Sequence, residues 1–514
     1  MKIKNKFVLF LLIIISFSCK NSTRTDNAFD YLYKDLPFEM PVLRKPTFPA
    51  NTVSIADFGG SGDGITLNTA AFARAIDALA AKGGGTLRVP SGVWLTGPVV
   101  FKSNINLNVE KGALLLFSPD FSLYPLVETV FEGLDTRRCQ SPISGHNLEN
   151  IAITGEGAID GSGEFWRPLK KDKVTDVQWE SITSIGGIVK DGKTWYPSEG
   201  SAAGAAIADM NVPRGEFTDE QWFAIKDFLR PGMVNFVECK NVLFENILIE
   251  NTPCWAIHPL MCENVIIDGV MVRNPAYAQN GDGIDLESCK NSIIKDCVLD
   301  VGDDAICIKS GKDADGRRRG RPTENLIVDN CKVFNGHGGF VVGSEMSGSV
   351  RNISVSNCVF MGTDVGLRFK SKRGRGGVVE NIYVHDINMF NIATEPFLFD
   401  LYYGGKSAVE ALADGDSTHT TDSTEIPAAD ETTPAFRNIS VKNLTVRNAR
   451  RAMFFNGLPE MPIENIDIEN AFITATYGAT LSECRNIIFN NVKIEQKEGE
   501  ALNLNNVENI DIQK

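Results

Sequence analysis

Histidine is scarce, five in 514 residues, and no CxxC pair occurs, so the chain offers no cysteine–histidine cluster of the kind that holds zinc. An excess of positive charge is also missing. Against 65 Asp and Glu stand 51 Lys and Arg, and the net charge of −14 argues against nucleic acid as a partner. The apolar run from Phe7 to Phe17 is too short to span a membrane comfortably. The Gly-rich run Gly83-Gly84-Gly85 lacks the lysine pattern of a phosphate loop and reads as a helix stop followed by a strand. Helical periodicity fits little of the chain. Apolar residues, often β-branched, alternate with polar ones at period two and are separated by Gly, Asn and Asp.

What is present is a repeat. An Asn followed by alternating apolar residues recurs as NVLFENILI from Asn241, NVIIDGVMV from Asn264, NSIIKDCVL from Asn291, NLIVDNCKV from Asn325, NISVSNCVF from Asn352 and NIYVHDINM from Asn381. It continues from Asn438, Asn465, Asn486 and Asn509. Most steps are about 21 to 34 residues, the period of a solenoid whose unit is one coil of short strands and turns. The expected fold is all-β, a right-handed parallel β-helix with coils stacked about 4.8 Å apart.

A second strand in each coil aligns in the same way. DGIDLES from Asp282, DAICIKS from Asp304, GGFVVGS from Gly338 and VGLRFKS from Val365 fall in register. Ile284, Leu286, Ile306, Ile308, Phe340, Val342, Leu367 and Phe369 are then expected in the core, with Asp285, Glu287, Cys307, Lys309, Arg368 and Lys370 facing solvent. This register stacks Asp282 on Asp304 and Asp303 on His337. Three carboxylates, an imidazole and two cations therefore meet on one outer face. Crowded carboxylates cannot all ionise, so one is expected to hold its proton near mildly acidic pH. An island of cations from Lys309 to Arg321 and from Arg368 to Arg375, on an acidic protein, points to a locally held anionic ligand, and Arg368 suits a carboxylate by its two-pronged geometry.

The chain start reads as a targeting segment. Lys2, Lys4 and Lys6 precede the apolar run and Ser18-Cys19, so residues 1–19 are a lipoprotein-type signal with Cys19 as lipid anchor, or alternatively an ordinary secretory signal. Residues 20–50 are expected to be a tether and extension, and 51–514 one β-helix domain with insertions near 166–231 and 404–435. A helix from about Ala70 to Ala81, capped by Asn68 or Thr69, would cover the open end of the first coil. The first insertion, Trp166 to Pro231, has a short helix near Thr218 to Leu229 and would wall off one end of a cleft. The second, Ser407 to Pro434, is acidic and poor in apolar residues, and reads as a mobile loop. Cysteines fall in two columns, Cys297, Cys331 and Cys358, and Cys239, Cys262, Cys289 and Cys484, which read as stacked small apolar residues rather than disulfides. Trp255 and His258 read as core or corner residues, Tyr402 and Tyr403 as cleft-edge aromatics.

From about Asp57 onward the chain resembles the polygalacturonase family, family 28 of the glycoside hydrolases, and its bacterial exo-acting branch. The resemblance rests on Asn280-Gly281-Asp282, Asp303-Asp304, Gly336-His337-Gly338 and Arg368-Phe369-Lys370, in that order. Gly281 stands where the family has Thr. The resemblance implies Asp303 as general acid, Asp282 with Asp304 as the pair that activates water, and His337 bonded to Asp303. It implies Asn280, Lys309, Arg368, Lys370 and Tyr403 as substrate-binding residues. The implied activity is inverting hydrolysis of α-linked galacturonic acid in pectin by a monomer without cofactor or metal. An inverting carboxyl pair ordinarily stands about 6.5–9.5 Å apart. Hydrolysis of a galacturonic-acid linkage in rhamnogalacturonan-type branched pectin is the alternative, followed by a Ca²⁺-dependent lyase and a non-catalytic glycan-binding β-helix.

Overall fold

The computed structural model describes residues 28–207, 211–405 and 426–513. Its body is a right-handed parallel β-helix in which 29 strands join one continuous sheet. Coils stack residue for residue, as the repeat requires: Leu243 pairs with Ile266, Ile266 with Ile293, Ile293 with Ile327 and Ile327 with Ser354. The repeated Asn has two jobs. It adopts a left-handed backbone, φ 56° at Asn241, 59° at Asn264 and 60° at Asn325, which Asn tolerates better than most residues. Its side-chain amide also donates to the Asn one coil back, at 3.0 Å from Asn264 to Asn241 and 3.0 Å from Asn325 to Asn291. Each amide in the stack is thus satisfied by its neighbour.

All ten cysteines among the described residues are free and buried. They behave as small hydrophobes in the core, with the Cys262 N–H donating to Cys289 Sγ at 3.3 Å and the Cys331 N–H to Cys358 Sγ at 3.4 Å. Cys19 and the signal segment lie outside the described residues. The capping helix spans Thr69–Ala80 and buries Phe72, Ala75, Ile76 and Leu79 on the first coils. Asn68 precedes it without capping it. Its carboxamide instead accepts from Ser61 N at 2.8 Å and donates to the Leu95 carbonyl at 3.0 Å, pinning the loop before the helix.

From residue 28 onward the N-terminal extension packs on the outside of the solenoid. Phe29, Leu32 and Leu43 are buried against Ala152, Leu243, Ile266, Ile293 and Ile327, which point outward from five coils. Burial of that apolar stripe, worth about 25 cal/mol per Å², holds the segment down. Lys45 bridges Glu245 and Asp268, and the Tyr31 hydroxyl donates to Asp329 at 3.1 Å.

The first insertion is a folded unit. Strands Leu169–Lys170, Thr194–Tyr196 and Ile188–Lys190 form an antiparallel sheet beside helices Asp176–Thr183, Glu199–Ile207 and Asp219–Ala224. The expected helix near 218–229 is shorter, capped by Thr218 with Gln221 and followed by a single turn of 3-10 helix, Lys226–Phe228. Trp166 anchors the unit, fully buried and edge-on to Phe121 and Tyr124 at 4.4 and 5.2 Å. Arg167, also buried, donates to the Thr252 carbonyl and to Asn251. Most of the second insertion, including residues 406–425, lies outside the described residues. An antiparallel hairpin, Leu126–Phe131 with Leu134–Cys139, reaches over the solenoid. Its tip residue Gly133, φ 72°, lies so close to Gly311 and Lys312 that a Cβ would collide with their backbone.

Candidate active site

Four strands, Ile284–Glu287, Asp304–Lys309, Gly338–Gly343 and Val365–Lys370, build the site in successive coils. Where each strand begins two consecutive residues turn inward, and the first is small: Gly283, Ala305, Gly339 and Gly366. A Cβ at Gly283 would stand 2.5 Å from the Leu299 side chain, and one at Gly339 2.6 Å from the Phe360 ring. Turning that residue inward throws the one before it outward, which is how Asp282 and Asp304 reach the surface of the solenoid. The paired registers Ile284 with Ile306 and Asp304 with Gly338 bring the carboxylates and the histidine together.

Oxygens of Asp282, Asp303 and Asp304 all lie within 4.8 Å of one another. His337 Nδ1 meets Asp303 Oδ1 at 3.1 Å, and the His337 N–H donates to the Asp303 carbonyl at 2.9 Å. Lys370 Nζ donates to Asp304 Oδ2 at 2.7 Å and Arg368 Nη1 to Asp304 Oδ1 at 3.2 Å. The Tyr403 ring lies 5.1 Å from the Lys370 ammonium and 6.0 Å from the Arg368 guanidinium. This constellation is the predicted one.

Its electrostatics separate the three carboxyls. Burial, then the neighbouring Asp303, pushes Asp282 well above the usual carboxylate range. Burial also acts on Asp304, but Lys370 and Arg368 outweigh it and hold that carboxyl well below the range. The hydrogen bond to Asp303 raises the His337 imidazole. Asp282 is 3% exposed with Oδ1 unpartnered, whereas the Asp303 side chain is 21% exposed and opens on the cleft. Asp282 is therefore the enclosed neighbour and Asp303 the carboxyl a ligand can touch. The trio's spacing alone would suit a cation, but Asp304 is already neutralised by an ammonium and a guanidinium, which leaves a divalent ion less charge to bind.

The outward side chains expected to face solvent are covered. Asp285, Glu287, Cys307 and Lys309 do face outward, but they are buried, Lys309 at 4% exposure. The hairpin tip and Trp255 roof them. Lys309 sits 4.7 Å from the Trp255 ring and pairs with Glu345 at 3.3 Å and Asp285 at 3.6 Å. Asn280 is held rather than free: its Oδ1 accepts from Arg230 Nη2 at 2.9 Å, which ties the loop before Asp282 to the body. The cation island is largely internal pairing. Arg318 and Arg319 bridge Asp135, Arg321 meets Glu238 and fully buried Arg375 meets Asp313. Trp255 and His258 are buried, His258 Nε2 lying 2.9 Å from Glu287. The carboxyl oxygens stand closer than the spacing expected of an inverting pair.

Beside Asp303 and His337 lies a recess of about 180 Å³, bordered by Tyr277, Gln279, Pro168, Lys170 and Lys173. Sequence reading did not single out Tyr277, Gln279 or the two lysines. Tyr277 lies three residues before Asn280 and so on the same loop, which was the available signal.

A parallel β-helix with three acidic side chains at one open point, one of them bonded to a histidine, defines an enzyme that cleaves glycosidic bonds. The sequence profile of glycosyl hydrolases family 28 matches residues 225–415, the stretch carrying all four motifs. The crystal structure of a hyperthermoactive exopolygalacturonase from Thermotoga maritima matches with a TM-score of 0.69 and 34% identity, covering 90% of this chain and 94% of that one. A probable polygalacturonase of Vitis vinifera is 29% identical over 434 residues, 82% of this chain and 74% of that protein. An exo-poly-alpha-D-galacturonosidase of Dickeya chrysanthemi is 29% identical over 416 residues, 79% of this chain and 64% of that protein. The chain belongs to family 28 of the glycosyl hydrolases, and it is a glycosidase.

Proposed function

We propose that the protein hydrolyses α-1,4-linked galacturonic acid in pectin, with inversion, from the non-reducing end. The observation that carries this reading is the division of labour among the carboxyls: Asp303 opens on the cleft with His337 bonded to it, while Asp304 is kept ionised by Lys370 and Arg368. Asp303 donates a proton to the glycosidic oxygen. Asp282 and Asp304, stacked on adjacent coils, hold one water between them, and the ionised Asp304 takes its proton as it attacks the anomeric carbon. A water gripped by two stacked carboxyls needs no wide gap to a third, which reconciles inversion with the short spacing. Arg368, half-open to the cleft, orients the sugar carboxylate. The roof over Asp285, Glu287 and Lys309 supports exo action, because it leaves no room for a chain to continue along that side of the site.

The test is product analysis on polygalacturonate and oligogalacturonides with chelator present. Saturated galacturonic acid monomer is expected, with the β-anomer appearing first by NMR. An unsaturated uronate that disappears with chelator would make the protein a lyase instead, and an α-anomer first would overturn inversion.

The basic start, apolar run and Ser18-Cys19 support an envelope location through a lipid on Cys19. Cys19→Ser is expected to move the protein from the membrane fraction to the soluble fraction; an unchanged distribution would remove the anchor.

A further inference from the structure

We propose that Arg230, at the end of the first insertion, is a positioning residue for Asp282: it clamps the loop that sets where this carboxyl stands against Asp304 and the attacking water. The proposal rests on the hydrolase reading above. The loop, Pro275 to Gly281, lies against both catalytic corners. A Cβ at Gly281 would stand 2.7 Å from the Ala278 side chain. One at Gly302, the residue before Asp303, would stand 2.5 Å from the Pro275 carbonyl oxygen and 2.7 Å from that of Ala278. The loop is thus wedged between the residues that precede Asp282 and Asp303, and a shift in it moves one carboxyl against the other.

The loop's own turns, Ala278 N–H to the Pro275 carbonyl at 2.8 Å and Gly281 N–H to the Ala278 carbonyl at 3.0 Å, shape it without attaching it. Asn274 and Arg230 attach it. Asn274 Nδ2 donates to the Gly281 carbonyl at 3.3 Å. Arg230 Nη1 donates to the Gln279 carbonyl at 2.9 Å and to the Pro253 carbonyl, in the preceding coil, at 3.1 Å, while Nη2 donates to Asn280 Oδ1 at 2.9 Å. Asn280 has a left-handed backbone, φ 53°, and its carboxamide is the handle by which that turn is gripped. The clamp is itself anchored, because the hairpin holds its backbone at two successive carbonyls. Cys139 N–H donates to the Leu229 carbonyl at 3.0 Å and Arg138 Nε to the Arg230 carbonyl at 2.5 Å. Arg138 and Arg230 are both buried, and the Arg138 guanidinium lies 3.7 Å from the Phe131 ring. The three acceptors of the Arg230 guanidinium are all neutral, so burying its charge is costly. What the planar fork provides in return is two nitrogens in fixed geometry, which grip the main chain of Gln279 and the side chain of Asn280 together.

The experiment measures kcat and KM on trigalacturonate, each variant assayed well below its own melting temperature. Arg230→Met is expected to lower kcat about 10²-fold, the usual effect of a displacement of about 1 Å at a reacting group, with KM within about twofold because Arg368 still holds the sugar carboxylate. Asn280→Gly keeps the left-handed turn and removes only one acceptor, so a loss of about tenfold in kcat, again with KM kept and with near-wild-type melting, is expected; it carries the test if the Met variant folds poorly. The double variant should lose no more than Arg230→Met alone, since both substitutions act through one contact. A kcat near the wild-type value in Asn280→Gly, a loss that falls on KM, or losses that multiply in the double variant would each overturn the proposal. Failure of the hydrolase reading looks different, since the wild-type protein would then release no saturated galacturonic acid.

Discussion

Asp303→Asn is expected to lower kcat on oligogalacturonides by about 10²–10⁴, the usual contribution of a positioned proton donor, with little change in melting temperature. The amide fits the same space and keeps an oxygen for His337, 3.1 Å away, so what is lost is the transferable proton and not the packing. Asp282→Asn should be comparably inactive, but it should also change stability, and the sign follows from the raised Asp282 carboxyl. Where the folded-state value lies above the unfolded value of about 3.9, folding takes up a proton. Wild-type stability then declines as pH rises through the raised value, and the uncharged amide removes that decline. Melting curves from pH 5 to 8 should therefore be flatter for Asp282→Asn than for the wild type. The same groups set the activity profile. Activity should hold well into the acid range because Asp304 stays ionised. An Asp303→Asn enzyme with near-normal kcat would remove Asp303 as the acid.

Much of this was legible from residue spacing, because a solenoid turns sequence register into spatial register. The Asn repeat predicted the stacking of Leu243 on Ile266 and Ile293, and the second strand predicted Asp282 over Asp304 and Asp303 over His337. What period two reports is the side of the sheet on which a residue lies. It says nothing of what covers that side. Asp285, Glu287 and Lys309 point outward as expected, yet a hairpin more than 140 residues earlier in the chain roofs them, and its tip is marked in the sequence only by Glu132-Gly133. For the same reason residues 28–50 read only as an N-terminal extension with no place on the solenoid. There a signal did exist: Leu243, Ile266, Ile293 and Ile327 are apolar at outward positions in four consecutive repeats, a stripe that water would not favour uncovered. The lysines of the recess were illegible, since an insertion outside the repeat has no register to place it.

Lys370→Met tests how the solenoid keeps a buried carboxylate charged. Asp304 and Lys370 are both buried, and their contact of 2.7 Å, with Arg368 at 3.2 Å, outweighs the penalty of taking Asp304 out of water. Removing one partner from a buried ion pair typically costs about 3–5 kcal/mol, and with Arg368 still in place a loss of about 3 kcal/mol at pH 7 is expected. The sign of its pH dependence is fixed by the lowered Asp304 carboxyl. A carboxyl held below its unfolded value of about 3.9 lends stability above that pH, and loses it as pH falls through the folded-state value. The gap between wild type and variant should thus be wide at pH 6–8 and narrow on acidification. Catalysis should follow the same charge. Without Lys370 the Asp304 carboxyl titrates at higher pH, so the acid limb of kcat/KM moves upward while the basic limb stays near its wild-type position. Lys370→Arg should recover part of the stability and restore the acid limb, because the charge returns even though the planar guanidinium fits the space less well. Equal melting temperatures for wild type and Lys370→Met across this range, with an unmoved acid limb, would mean that Arg368 alone holds Asp304 ionised.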